Sequence, residues 1–224
     1  MADQLYLSLW YPNFRLESLP AALTGVLRQF ALIASDGKTS SPFTRVQAAS
    51  NYPIDWTESP TYQRIYVNDD RAADTPDTKG SIIESAVAEA TEQLHEDTAY
   101  EFEMSWSLWT PDTAPEADDD AQLDTLWKLE PARVRIVGFG PDFDTASFEQ
   151  NGHIRVDFGL DTPWVLEDED LHIDAAKKIQ QNVEKLLAFT LSVEKHCGIS
   201  SRLLWTESGE PLAEKLIARL QRLN

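Results

Sequence analysis

The stretch AYEFEMSWSLW, Ala99 to Trp109, decides the fold. Tyr100, Phe102, Met104, Trp106 and Leu108 fall on one side of an extended chain. Glu101, Glu103, Ser105, Ser107 and Trp109 fall on the other. Successive side chains of a β-strand point to opposite faces, so this period of two predicts a strand with one buried face and one polar face. An amphipathic helix would instead repeat its apolar positions at intervals of three and four.

The same signal recurs on both sides of this strand. LYLSLWY, Leu5 to Tyr11, sets Leu5, Leu7 and Leu9 against Tyr6, Ser8 and Trp10. Phe43 to Ala48, TYQRIYVN from Thr61 to Asn68, Ala132 to Phe139, His153 to Leu160 and a short RLLW from Arg202 to Trp205 also read as strands. Between them lie helical patterns. Ser18 is the expected N-cap of a first helix, with Pro20 in its first turn and Leu19, Leu23, Val26, Leu27 and Phe30 on one stripe; Asp36-Gly37 ends it. A second helix is expected from Ser81 to His95. A third and longest one is expected to have Asp174 as N-cap, Ile179, Val183, Leu186, Leu187 and Thr190 as its inner stripe, and Gly198 as its stop. A final helix is expected to start near Pro211. TPDTAPEADDDAQL, residues 110–123, reads as a loop.

These elements predict an α+β protein with a mostly antiparallel sheet packed against helices. The first half runs strand, helix, strand, strand, helix, strand, which is the order of a ferredoxin-like βαββαβ unit. A chain of 224 residues, 42% hydrophobic and with seven tryptophans, is expected to form a single domain over 1–224. A subdivision would fall between a ferredoxin-like half, 1–110, and a second half, 124–224, of strands and two C-terminal helices. The single cysteine, Cys197, excludes an intrachain disulfide. No apolar run approaches the roughly 18–20 residues of a membrane helix, and MADQLYLSLWYP lacks the plan of a signal peptide. The expected location is therefore the cytoplasm, with no membrane contact.

The net charge of −19 is unevenly placed. Residues 1–60 carry four basic and five acidic side chains. Residues 61–124 carry three basic and seventeen acidic, a net of −14, and residues 125–224 a net of −4. Phosphate neutralisation needs clustered Lys and Arg, so this balance argues against nucleic acid as a partner. A basic partner, a metal cation and plain solubility remain open, with a basic protein surface as the leading expectation. Asp69, Asp70, Asp118, Asp119, Asp120, Glu101, Glu103 and Trp109 are the residues expected to contact it.

Several motif fragments carry no chemistry. DGKTS, Asp36 to Ser40, lacks the upstream glycine of a phosphate loop, because Leu32 stands there. DFG, Asp157 to Gly159, has no kinase motifs around it. GFGPDF, from Gly138, lacks the third glycine of a dinucleotide fingerprint. His196-Cys197 ends a helix, where neighbouring side chains diverge by about 100°. His95, His153, His172 and His196 show no zinc spacing. The acidic runs at 118–120 and 167–170 lack the glycine and terminal Glu of a calcium loop. The sequence therefore predicts no catalytic residue, no metal and no cofactor. The leading functional expectation is a non-catalytic acidic binding protein, of which an inhibitor or immunity-type protein is one form. The rival is a metal-dependent hydrolase built from the Asp and Glu of the acidic loops.

If the three later strands pair antiparallel, their polar side carries Glu101, Glu103, Arg133, Arg135, His153, Arg155 and Asp157. Such residues stabilise a sheet by cross-strand pairing alone, and a solvated, charge-laddered face is the expected reading. The alternative is a ligand face formed by His153, Arg155 and Asp157. Direct His153–Asp157 catalysis is disfavoured, because four residues of strand separate their Cα atoms by about 13 Å.

Overall fold

The computed structural model describes residues 2–35, 47–55, 61–66, 79–111, 127–143, 152–165 and 173–209. Among these the chain forms seven strands: β1 (Gln4–Trp10), β2 (Gln47–Asp55), β3 (Thr61–Tyr66), β4 (Ala99–Pro111), β5 (Trp127–Phe139), β6 (Ile154–Leu160) and β7 (Ser201–Thr206). Three α-helices accompany them: α1 (Leu19–Ala34), α2 (Lys79–Ala90) and α3 (Ile173–His196). The strands make one sheet in the order β3-β2-β4-β5-β6-β1-β7, and every neighbouring pair is antiparallel. The α+β architecture is thus as the alternation predicts.

All three helices lie on the face that carries the apolar half of each strand. Leu5, Leu7 and Leu9 of β1, Phe102 of β4, Ile136 of β5 and Val156 of β6 are fully buried there. On α1, Leu19, Leu23, Val26, Leu27 and Phe30 form the predicted stripe and are also fully buried. Its N-terminal end comes so close to β5 that a Cβ on Gly138 would lie 2.7 Å from Leu19 Cδ1. Only glycine permits that approach. The Phe189 ring of α3 packs edge-on against Phe30, Trp106 and Phe158, with centroids 5.5, 6.4 and 6.0 Å away. Ile83, Val87 and Ala90 bring α2 onto β2, where Ser50 Oγ–H donates to the Ala90 carbonyl at 3.3 Å. Trp164 is part of this core and fully buried, its indole N–H donating to the Asn182 carbonyl. Among the described residues, no helix is long and apolar enough to cross a membrane.

Several elements depart from expectation. The ferredoxin-like grouping of residues 1–110 is not what the pairing shows. β1 is separated from β4 by β5 and β6, and bonds to β6 and β7, so the first half closes no sheet of its own. β2 is described from Gln47 and runs on to Asp55, past the expected end at Ala48; its small buried Ala48, Ala49 and Ser50 give no alternating signal, and the expected start at Phe43 lies outside the described residues. β5 begins at Trp127, five residues early. Its Pro131 is tolerated because β6 pairs only with Arg135–Gly138, leaving an edge at Pro131. α2 stops at Ala90, since Thr91 turns back on Val87 and the Tyr100 hydroxyl ties Gln93 and His95 into a turn. Ser18 flanks α1 as predicted, yet its hydroxyl bonds to Arg15 and closes a 3-10 turn (Leu16–Ser18) rather than capping the helix. In α3, Ile173 precedes Asp174, and Leu187 is 45% exposed, about 100° around from Leu186. The helix expected near Pro211 lies outside the described residues.

Candidate binding site on the polar sheet face

The other face of the sheet, which none of the described helices covers, is built from the polar half of each strand. Register aligns its side chains in two rows. Trp205, Tyr6, Asp157, Arg135 and Glu103 follow one another across β7, β1, β6, β5 and β4. Leu203, Ser8, Arg155, Val137 and Glu101 make the adjacent row. Glu101, Glu103, Arg155 and Asp157 are thereby brought to one surface.

In the first row, Arg135 Nη2 forms an ion pair with Asp157 Oδ2, and Asp157 Oδ1 accepts the Gly159 N–H at 2.9 Å. Tyr6 and Trp205 have ring centroids 4.6 Å apart, and the Trp205 indole N–H donates to Ser8 Oγ at 2.9 Å. Toward the sheet's acidic strand, Arg133 Nε lies 3.1 Å from Glu103 Oε1. In the second row, the Arg155 guanidinium sits 5.1 Å from the Tyr6 ring and 5.4 Å from the Phe139 ring. These are cation–π distances, with one ring from each flanking strand. Its Nε–H is buried and has no hydrogen-bond acceptor.

Burial corrects the expectation of a solvated, outer row. Asp157 is 4% exposed, Glu101 7% and Ser8 0%. Aromatic and aliphatic neighbours cause this: Tyr6, Phe139 and Val137 stand between the charges and exclude water, and Phe143 packs over Val137 and Phe139. The expectation holds at Arg135, whose side chain is 46% exposed, and at Arg133 on the rim, 74% exposed. The electrostatics follow. Burial works to lower the Arg135 pKa, but the hydrogen bond and charge of Asp157 outweigh it and raise it. Arg155 goes the other way: burial lowers its pKa, against the charges of Tyr6 and Asp157. Burial and the Asp157 charge both raise the Tyr6 pKa.

His153 is set apart from this arrangement. It forms a bend before β6, where its Nδ1 accepts the Tyr11 N–H at 2.9 Å and its ring stacks on Phe14 at 4.1 Å. With Nδ1 an acceptor, the ring is neutral and carries its proton on Nε2. Burial lowers its pKa in the same sense. The histidine therefore anchors the chain after β1. Trp109 also lies elsewhere, against α3: Asn182 bonds its backbone N–H and carbonyl, and its indole N–H donates to Gln181 Oε1 at 2.8 Å. Beside it, a cleft of about 500 Å³ opens between α1, the β4–β5 ribbon and α3. Its ionisable lining groups are Glu184 and Lys185, and Lys185 Nζ donates to the Ser107 carbonyl at 3.1 Å. Asp69, Asp70, Asp118, Asp119 and Asp120 lie outside the described residues.

Comparison with known proteins finds no matching family, no matching curated protein and no matching solved structure. The site must be read from its own chemistry. Among the described residues, no three His, Cys, Asp or Glu side chains converge as a metal set would. Burial pushes the Cys197 thiol up to about 11, which keeps it protonated and poorly nucleophilic at neutral pH. Sequence reasoning missed Tyr6, Ser8, Phe139 and Trp205 as members of the polar face. Their alternation was visible in each strand. The pairing that sets β1 between β6 and β7 joins residues about 150 to 200 positions apart, and no local pattern encodes it.

Proposed function

We propose that the protein is a non-catalytic binding protein that engages a basic protein surface through its acidic middle segment. An inhibitor or immunity-type protein is one form of this activity. The observation that carries the reading is the net −14 over residues 61–124, against −1 before it and −4 after it. β4 belongs to that segment and carries its Glu101 and Glu103 onto the polar sheet face. That face then adjoins the acidic segment as a recognition surface.

The side chains of the face support binding over proton transfer. A general base must be able to accept a proton from a substrate. Asp157 is occupied by Arg135 and the Gly159 N–H, and His153 by the Tyr11 N–H. The test is recovery of a partner by cross-linking in cells, followed by affinity measured at two salt concentrations. The expected partner has a basic contact surface, and its affinity falls about tenfold or more between low and physiological salt. Replacement of Asp118, Asp119 and Asp120 by Lys should weaken it further. A partner bound equally well at both salt concentrations, or unaffected by that replacement, contradicts the reading. Calorimetry with magnesium, manganese, calcium and zinc covers the hydrolase rival: an ion bound more tightly than about millimolar favours it.

A further inference from the structure

We infer that Arg155 is the centre of a carboxylate-binding subsite on the polar sheet face, one that does not depend on the basic-partner reading. An arginine carries five N–H donors and no acceptor. Arg155 has a buried Nε–H that meets none. The acids near it do not repair this. Asp157 gives Oδ2 to Arg135 and Oδ1 to Gly159, and no ion pair to Arg155 is found among the described residues. Leaving a buried charged donor without an acceptor is costly, and a fold that only needed packing here would be better served by an apolar side chain.

The surroundings define what completes the site. Tyr6 from β1 and Phe139 from β5 flank the guanidinium. Rings on both sides hold a planar cation in place and shield it from water, which strengthens any charge-assisted bond it makes. The matching ligand is a planar oxyanion that takes two parallel N–H bonds from the guanidinium fork. Charge selects among such anions. Arg155 and Arg135 are offset by Asp157 and Glu101 in the same two rows, within a chain of net charge −19. A single negative charge can be accepted there, whereas phosphate, with about −1.5 to −2 at neutral pH, meets more repulsion. The Tyr6 ring lies between Arg155 and Trp205, whose indole N–H is bonded to Ser8, so occupancy has a spectroscopic reporter nearby.

Acetate is the probe, titrated into the 15N-labelled full chain at constant ionic strength. The Arg155 Nε–Hε resonance is assigned by its loss in Arg155→Lys. The expected result is a saturating shift of that resonance and of the Trp205 indole N–H, half complete at millimolar acetate or below. Inorganic phosphate should bind at least about tenfold more weakly. Folded Arg155→Lys should lose about tenfold or more in affinity, because an ammonium cannot make the bidentate bond. Tyr6→Leu removes one flanking ring, leaves the Arg135–Asp157 pair in place, and should weaken acetate several-fold. The assignment is overturned by a shift that never saturates, by phosphate binding as tightly as acetate, or by an unchanged response in either folded variant.

Discussion

The two faces of this sheet are made by the same strands and held by different physics. On the helix-covered face, side chains from β1, β4, β5 and β6 interlock with three helices, and Leu7, Phe102, Ile136 and Val156 are all fully buried. Stability there comes from apolar area removed from water, roughly 25 cal/mol per Å². On the polar face, buried side chains include Asp157 and Glu101. A buried charge stabilises only if its partner and hydrogen bonds are complete. Asp157 meets that condition, whereas the half-buried Arg155 leaves its buried Nε–H without an acceptor. Each face leaves a buried donor unmet, but the Trp106 indole N–H on the covered face is neutral, whereas the one on the polar face belongs to a charged guanidinium, and function is sought there.

The largest effect should come from breaking the helix-covered face. Phe189→Ala removes a ring that meets Phe30, Trp106 and Phe158, and should cost about 3–5 kcal/mol in denaturant unfolding. A loss below about 1 kcal/mol would mean that α3 is not seated as described. On the polar face, Asp157→Ala strands the Arg135 guanidinium and the Gly159 N–H. With Arg135 half exposed, the loss should be about 2 kcal/mol. Adding Arg135→Met to an Asp157→Leu chain should recover much of it, since an apolar pair leaves no charge behind. Gly138→Ala sharpens the contrast from the other side. Its new Cβ meets Leu19 at 2.7 Å, and the clash should cost about 1–2 kcal/mol by the same measurement.

How much of this was legible in the sequence differs between the two faces as well. The alternation of Ala99–Trp109 and the α1 stripe from Leu19 to Phe30 predicted the covered face, because packing against a helix leaves a periodic trace in each element. Arg135 and Asp157 were legible as members of the polar face, but that they pair with each other was not, because it depends on the register of β5 and β6. Nor could depth be read. Whether Asp157 is wet or dry depends on Tyr6, which stands opposite it from a strand remote in the chain. His153 shows the same limit. Alternation placed it in a row with Arg155 and Asp157, but the turn before β6 hands its ring to Phe14 and Tyr11.

That histidine gives a smaller, pH-dependent effect. Its folded pKa is lowered by burial, so below the unfolded value near 6.5 the unfolded chain binds more protons. The stability contributed by neutral His153 should be complete above that pH and be lost as pH falls through the lowered folded value. Comparing wild type with His153→Gln across pH 5–8 isolates this term from the many carboxylates. Equal slopes in the two proteins would show that the ring is not held neutral by the fold. The smallest effect belongs to the rim. Glu103→Gln faces an Arg133 that is 74% exposed, and should change stability by less than about 0.5 kcal/mol.

The central claim is that the polar face holds one arginine for structure and a neighbouring one for binding. Unfolding free energies of Arg135→Met and Arg155→Met, measured side by side without added carboxylate, test it most directly. Arg135→Met should lose about 2 kcal/mol, because it leaves Asp157 buried without its partner. Arg155→Met should be neutral or stabilising, because its thioether chain fills the space between Tyr6 and Phe139 without an unmet donor. An Arg155→Met loss as large as that of Arg135→Met would contradict the account and make both arginines structural.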